Sequence, residues 1–402
     1  METNLYYELA QEIIQQGKIF YDTSNAYYEV VGPVIPWMNA LTMLIFGKNY
    51  LGLYIVSAFG SALIVFFIYK TARLFLDKKT SVFAGTWALF YLFYFYYIPS
   101  PGKDIWMAFF MIFLLYLLIK LFVKNEFNYK KYFLFILMYV ISFHLDERYV
   151  IFGPFILLFV LYKETYAFKK FKVKKSLLFI FLVILLMVPW SVRHYQKYDR
   201  IIILTPRTQP YTDKIFGYEP KDKYFGDDFT SINGRYYIHD YQIDSVISRE
   251  KKETDLGWKI PQVQVEAMRK GKRPASLTGI KAFWSRIRTM LEPIQFRGRF
   301  EQTGYYYYEK SFRHNVATFL FYGIIFLFSI LGFYFLYQRN RQIFFLFLGT
   351  IVIYVLLHAF TIPYTNWRYR LPLDALFIIS GCLGIVESFR FFNRKKKNLK
   401  LK

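Results

Sequence analysis

The chain has 402 residues, of which 55% are hydrophobic and 22% aromatic, and its formal net charge is +24. Apolar runs of about twenty residues leave too much apolar surface for a soluble fold, so the composition predicts a polytopic all-α membrane protein. Most of the positive charge lies beside these runs, where membrane proteins concentrate lysine and arginine, which disfavours nucleic acid binding. The one cysteine, Cys382, lies inside an apolar run, so neither an intrachain disulfide nor a cysteine-based metal site is expected.

Two short helices are predicted before the first membrane span. Residues 4–16 place Leu5, Leu9, Ile13 and Gln16 on one stripe, and Gly17 follows as a stop. Residues 33–47 are apolar but number only about fifteen and lack a basic residue at their end, so we expect a helix lying at the membrane interface. Counting this segment as a span would invert the whole topology.

Nine spans are predicted along the rest of the chain. The polar break at residues 144–148 allows either two short spans or one broken, re-entrant segment, and the pattern favours two spans. The predicted spans cover residues 51–70, 81–98, 104–123, 131–145, 149–163, 175–190, 314–337, 342–361 and 371–389.

Lysine and arginine cluster in every second loop, which predicts the side of the membrane on which each loop lies. The positive-inside rule places the basic loops and the C-terminus in the cytoplasm. The other loops, and the N-terminus, then face outward. The outward loops are residues 99–103, 144–148, 191–313 and 361–370.

The predicted organisation has five regions, and the outer loop is the one soluble region of any size. Within it, Leu277, Ile280, Trp284, Ile287 and Leu291 form a helical apolar stripe, which fits equally a helix on the membrane surface or one packed on its own small domain. The regions are a first outer loop with interfacial helices (1–50), a transmembrane region (51–190), an extracytoplasmic loop domain (191–313), a C-terminal transmembrane region (314–390) and a basic cytoplasmic tail (391–402).

Four charged motifs lie at the predicted outer ends of spans, and each also has a purely structural interpretation. An acid at the start of a helix, as in Lys103-Asp104, favours the helix electrostatically. Asp146-Glu147-Arg148 can form an internal ion pair. Arginine beside tryptophan and tyrosine is often an interfacial anchor. The two motifs of that last type are Pro189-Trp190-Ser191-Val192-Arg193-His194-Tyr195 and Trp367-Arg368-Tyr369-Arg370-Leu371-Pro372.

In their order along the chain and in their residues, these motifs closely resemble those of the bacterial membrane glycosyltransferases of the GT-C fold. These enzymes are relatives of protein O-mannosyltransferases and of the aminoarabinose transferase that acts on lipid A. The resemblance covers most of the chain. It includes residues 6–10 and 32–36, which look like the family's first outer loop, and Asp104 matches the family's second acidic position. The resemblance implies a GT-C-like helical bundle.

The chain departs from this family at its start. Family members begin with a membrane helix whose outer end carries an aspartate, whereas here Met1 and Glu2 stand at that point. Glu2 takes roughly the place of the aspartate. We therefore expect one of two explanations. Either a carboxylate with a side chain of different length takes the role of the aspartate, or the chain begins late, and we favour the second.

The resemblance implies transfer of a sugar from a polyprenyl-phosphate carrier to an acceptor hydroxyl of a glycan, lipid or protein, by direct inverting displacement at the outer face of the plasma membrane. Such a reaction needs a base for the acceptor proton and cations for the leaving phosphate. Asp104 and Glu2 are the candidate catalytic carboxylates. Arginine suits phosphate because its planar fork donates two hydrogen bonds and stays charged. The candidate phosphate ligands are Lys103, Arg148, Arg193, Arg368 and Arg370.

No metal or other cofactor is expected to be obligatory, because the five histidines are scattered and show no paired spacing. The sequence also shows no glycine-rich phosphate loop, which disfavours a nucleotide-sugar transferase. Two other functions stay open. A transporter or flippase would be expected to carry polar breaks near mid-membrane. An O-antigen polymerase or ligase would share the many spans, the large outer loop and the arginines.

Overall fold

A computed structural model describes residues 2–18, 32–99, 102–168, 173–198, 279–292, 297–300, 306–309, 316–361 and 367–400. Thirteen α-helices and one antiparallel hairpin are found in these ranges. The predicted all-α membrane fold is therefore confirmed. Most of the predicted outer loop domain, including residues 199–278, lies outside the described residues.

The helices of the first half are α1 (Glu2–Gln16), α2 (Val34–Phe46), α3 (Tyr50–Arg73), α4 (Lys78–Leu89), α5 (Leu92–Tyr96), α6 (Lys103–Leu118), α7 (Tyr129–Leu145), α8 (Phe152–Phe168) and α9 (Lys174–Tyr198). A π turn, Ile119–Val123, continues α6, and a 3-10 turn, Glu147–Ile151, joins α7 to α8. The second half has α10 (Gly279–Leu291), β1 (Arg297–Phe300), β2 (Tyr306–Glu309), α11 (Ile324–Arg339), α12 (Arg341–Thr361), the 3-10 turn Trp367–Arg370 and α13 (Leu371–Lys400).

Six helices in the described ranges are long and apolar enough to cross a membrane. They cover residues 50–73, 103–123, 174–196, 316–339, 341–360 and 371–393. The predicted number of nine is not confirmed, because three predicted spans form shorter helices. The span predicted at 81–98 is interrupted at Phe90 and Tyr91, between α4 and α5, while α7 and α8 have 17 residues each.

Both predicted N-terminal helices form. In α1, Ala10 is fully buried in one cluster with Ala40 and Met43 of α2, and Leu9 is fully buried as well. Gly17 ends α1 with a φ of +61°, a left-handed conformation that glycine adopts without steric cost. The stop predicted at this glycine is confirmed.

The chain forms two compact units. Unit 1 combines Met1–Ser81 with Leu92–Gly226, and unit 2 combines Val82–Tyr91 with Asp227–Lys402. In unit 1, α6 is the central helix, since 83% of its apolar stretch is buried, against 22% for α9. It packs between α3 and α7. The large apolar side chains that α9 leaves exposed suit contact with lipid, which is as apolar as they are.

Unit 2 is organised around the close packing of α11 on α13. A Cβ atom on Gly332 would overlap the backbone carbonyl of Ser380, and one on Gly384 would overlap the carbonyl of Phe328. A Cβ on Gly381 would lie 2.5 Å from the carbonyl oxygen of Ile325. The two helices therefore touch backbone to backbone, as small residues permit in membranes.

We expect Gly332→Ala to destabilise the protein, although alanine favours a helix over glycine by about 1 kcal/mol. The added methyl group meets a backbone carbonyl, so the helices must separate, at a cost of about 1 to 3 kcal/mol. The thermal unfolding midpoint in detergent measures the loss. Leu331→Ala on the same helix, where the leucine is exposed, serves as the control and should leave the midpoint nearly unchanged. An unchanged midpoint in Gly332→Ala would contradict the close packing.

Candidate active site

The start of α6 carries the first candidate residues. Gly102 precedes the helix in an extended conformation, and Lys103 and Asp104 occupy its first turn. A carboxylate is stabilised there by the partial positive charge of the helix N-terminus. Asp104 is nonetheless buried, with 8% of its surface exposed. Its position lets the carboxylate meet a substrate in a largely enclosed environment.

The turn after α7 brings a second carboxylate to the same place. Asp146 forms an ion pair with the Arg148 guanidinium, and the Lys103 Nζ lies 2.9 Å from Asp146 Oδ2. Asp146 also accepts a hydrogen bond of 3.1 Å from the backbone N–H of Arg148, which fixes the turn. Two cations thus share one carboxylate, and this trio has a net charge of +1. The internal ion pair that the structural interpretation of the motif predicts is therefore present.

Asp146 is a permanent counter-ion within this trio. Burial by itself would raise the pKa of the Asp146 carboxyl, but the charges of Arg148 and Lys103 and their hydrogen bonds outweigh burial and hold it well below its usual range. The group therefore stays ionised at neutral pH. A carboxylate held in this way is a poor proton acceptor.

Further contacts fasten this turn to α6. The Tyr149 hydroxyl donates to the backbone carbonyl of Met107, and Arg148 Nη2 lies 3.7 Å from the Met107 sulfur. Gly32 also lies close to the end of α7, because a Cβ on it would overlap the backbone carbonyl of His144. The motif at residues 32–36 and the two charged motifs, which are far apart in sequence, therefore meet at one end of α6.

The motif at Pro189 lies on α9 and not in a loop. Helix α9 continues through Pro189 to Tyr198, although a span ending at residue 190 was predicted. Proline is tolerated in membrane helices, where neighbouring groups satisfy the freed carbonyl. Trp190 is buried, with ring-centroid distances of 5.5 Å to His144 and 4.6 Å to His194. The Arg193 guanidinium carbon lies 5.2 Å from the centre of the Trp190 ring. Arg193 is thereby connected to the end of α7.

A second buried charged cluster lies in unit 2 at the start of α13. Arg370 Nε donates to Asp374 Oδ1 at 2.7 Å, and the Tyr91 hydroxyl donates to Asp374 Oδ2 at 2.7 Å. The guanidinium carbon of Arg370 lies 3.2 Å from the centre of the Tyr322 ring. The Tyr322 hydroxyl in turn donates to the backbone carbonyl of Leu291, the last residue of α10. These contacts hold the turn Trp367–Arg370 onto α13.

Arg370 therefore has a different environment from the predicted one. Its side chain is completely buried and Asp374 is its ion-pair partner. Its contact with phosphate stays a prediction. Arg368 lies in the turn that Arg370 holds, and Glu2 begins α1, but both side chains are outside the described residues. Sequence reasoning gave no role to Asp374. Its spacing of four residues from Arg370 in a helix was the available signal.

Among the residues that the structure describes, no three His, Cys, Asp or Glu side chains are grouped closely enough to hold a metal ion. The requirement for a metal remains a matter for experiment.

Residues 30–192, fewer than half of the chain, match the family model described as dolichyl-phosphate-mannose-protein mannosyltransferase. The matched range contains the whole Lys103–Asp104–Asp146–Arg148 cluster and Trp190. No curated protein matches the chain.

Among solved structures, the chain is similar to the oligosaccharyltransferase of Archaeoglobus fulgidus in its apo form, with a TM-score of 0.55 and 15% identity over 98% of this chain. A second match is the archaeal oligosaccharyltransferase AglB from A. fulgidus in complex with an inhibitory peptide and a dolichol-phosphate, also with a TM-score of 0.55 and 15% identity, over 99% of this chain. The chain spans 47% and 48% of the length of these two proteins.

These matches confirm the resemblance that the motifs predicted. The fold is shared along nearly the whole chain, and the family match covers the part of the chain that contains Asp104. The chain therefore has the GT-C fold, and over residues 30–192 it is similar to the dolichyl-phosphate-mannose-protein mannosyltransferases.

Proposed function

We propose that this protein transfers a sugar from a polyprenyl-phosphate carrier to an acceptor hydroxyl at the extracytoplasmic face of the membrane. One observation supports this most: the buried Asp104 directly follows Lys103 in the first turn of a membrane span, and Lys103 forms an ion-paired trio with Asp146 and Arg148. A base and a phosphate site are the two features that such a transfer needs. The dolichol-phosphate in the similar archaeal enzyme is consistent with a lipid-phosphate donor.

In the proposed reaction, the acceptor oxygen attacks the anomeric carbon of the sugar while the bond from that carbon to the phosphate oxygen breaks. The acceptor proton passes to Asp104, and the polyprenyl phosphate leaves with the electron pair. This single displacement inverts the anomeric configuration. Lys103 and Arg148 are the cations proposed to stabilise the leaving phosphate, which is the group that gains charge in the transition state.

Arg193 and Arg368 are two further proposed phosphate ligands, and Glu2 is the proposed second carboxylate. Arg193 is fixed beside Trp190, and the turn that carries Arg368 is fixed by the buried Arg370–Asp374 pair. We assign Arg370 to positioning because it is buried and paired. No obligatory metal is part of the proposal, and the chelator EDTA tests this directly: transfer should continue when it is added.

The test uses the full-length protein in membrane vesicles with a labelled polyprenyl-phosphate sugar. Arg368→Ala should lower sugar transfer by about 10- to 100-fold, because a hydrogen bond to a charged group contributes roughly 1.5 to 3 kcal/mol. Arg341→Ala, at the start of α12, is the matched control and should keep the full rate.

Supplying the sugar as a nucleotide sugar should give no transfer, and an acceptor that cannot cross the membrane should react only from the extracytoplasmic side. Transfer from the nucleotide sugar alone, or from the other side, would overturn the proposal.

A further inference from the structure

The helix α10 presents large apolar side chains to its surroundings although it packs on a membrane span. Ile280 is 73% exposed and Trp284 is 60% exposed. The neighbouring Phe360, one residue from the end of α12, is 73% exposed. All three belong to unit 2 and lie around one end of a helix long enough to cross the membrane.

Two contacts fix α10 at the end of α12. Phe283 packs against Phe360, with ring centres 4.7 Å apart. Arg286 Nη1 donates a hydrogen bond of 2.8 Å to the backbone carbonyl of Ala359. The last carbonyls of a helix lack partners within the helix, so Arg286 caps α12 and its charge suits the negative end of the helix dipole. Met290, one turn further along α10, is fully buried.

The end of a membrane span lies at the boundary between hydrocarbon and water, so α10 is held at that boundary. The side chains of α10 divide around its axis into three sectors, given a rotation of about 100° per residue. Phe283, Arg286, Thr289 and Met290 form the sector that contacts protein. Ile280 and Trp284 form an exposed apolar sector next to it, and Arg288, with 83% of its side chain exposed, points further round.

We propose that α10 lies in the plane of the membrane, with Ile280, Trp284 and Phe360 inserted among the lipids at the interface. This apolar surface is continuous with the end of α12, which lies at the boundary of the membrane. Lipid is therefore the partner that we assign to it. Tryptophan prefers the interface because its ring is apolar and its N–H is polar. Arg288 lies on the side that water and lipid headgroups reach, as amphipathic interfacial helices arrange their basic residues.

The experiment uses single cysteines at three positions of α10, made as Ile280→Cys, Trp284→Cys and Arg288→Cys in a Cys382→Ala background. Each carries the environment-sensitive probe NBD, and the full-length protein is reconstituted in vesicles of phosphatidylcholine and phosphatidylglycerol. Two quenchers are compared: lipids brominated near the headgroup end of the acyl chain, and aqueous iodide. Arg288→Cys is the matched control because it lies one turn from Trp284.

Probes at 280 and 284 should be quenched by brominated lipid roughly twofold more than the probe at 288, and they should be shielded from iodide. The probe at 288 should show the opposite preference. Equal quenching of all three by iodide would mean that α10 lies in water. Shielding of 280 and 284 from both quenchers would mean that protein, such as a second copy of the chain, covers them. Either result overturns the proposal.

A second measurement covers the case in which Trp284→Cys does not fold. The intrinsic fluorescence of the unlabelled protein and of Trp284→Phe is compared in brominated lipid, and the difference should contain a strongly quenched component. If that component is absent, Trp284 does not contact lipid. Neither measurement involves sugar transfer, so the result does not depend on the proposed function.

Discussion

Asp104→Asn should lower the rate of sugar transfer by about 10²- to 10⁴-fold, the usual contribution of a general base. The asparagine keeps the size of the side chain but cannot accept the proton of the acceptor hydroxyl. The loss of a negative charge in the first turn of α6 costs only about 0.3 to 1 kcal/mol of stability, so the protein should remain folded. Transfer from a labelled polyprenyl-phosphate sugar, at matched protein level, measures the effect.

Glu147→Gln is the control for this experiment, because Glu147 lies in the adjoining 3-10 turn and is also an acid. It should keep most of the activity. If Asp104→Asn works at the full rate, Asp104 serves only to stabilise the start of α6. That outcome would leave the fold untouched and would remove the base from the proposed mechanism.

Asp374→Leu should destabilise the protein by about 3 to 5 kcal/mol, since it leaves the Arg370 charge buried without its carboxylate. The free energy of unfolding of a folded protein is only about 5 to 15 kcal/mol, so this single change removes a large part of it. The double variant Arg370→Met with Asp374→Leu should recover most of the loss, because no buried charge remains. Unfolding of the detergent-solubilised protein gives the free energies for this cycle.

The ion pair at the other end of α13 provides the matched control. Arg390 pairs with Glu387, but its side chain is 38% exposed, and exposed pairs contribute about 0 to 1 kcal/mol. Arg390→Ala should therefore change stability little. If the double variant is no more stable than Asp374→Leu alone, the cost does not come from the unpaired charge of Arg370.

The fold could be predicted from the sequence where the signal is local. Apolar length and basic flanks identify the long spans, and Gly17 marks a helix end by its own backbone preference. The break at Phe90 and Tyr91 could not be found in this way, because an aromatic run has the same hydropathy whether or not the helix is continuous. The helix is interrupted at the point where the Tyr91 hydroxyl donates a hydrogen bond to Asp374, which is 283 residues away in sequence.

The candidate site was predicted in part. Span ends on one side of a membrane bring their charges to the same depth, and Lys103 does meet the turn of Arg148 through Asp146. Depth alone, however, does not distinguish a charge that faces substrate from one buried in the protein. Arg370 and Arg148 look equivalent in the sequence, yet only the surrounding packing shows that Arg370 is enclosed by Asp374 and Tyr322.

The glycine contacts between α11 and α13 also bear on how the protein can move. Where two helices meet through their backbones, no side chain can change rotamer to let one slide past the other. The pair should therefore behave as one rigid body during turnover. Movement within the membrane should then involve the other helices, and among the six described spans α9 buries the smallest share of its apolar stretch, 22%.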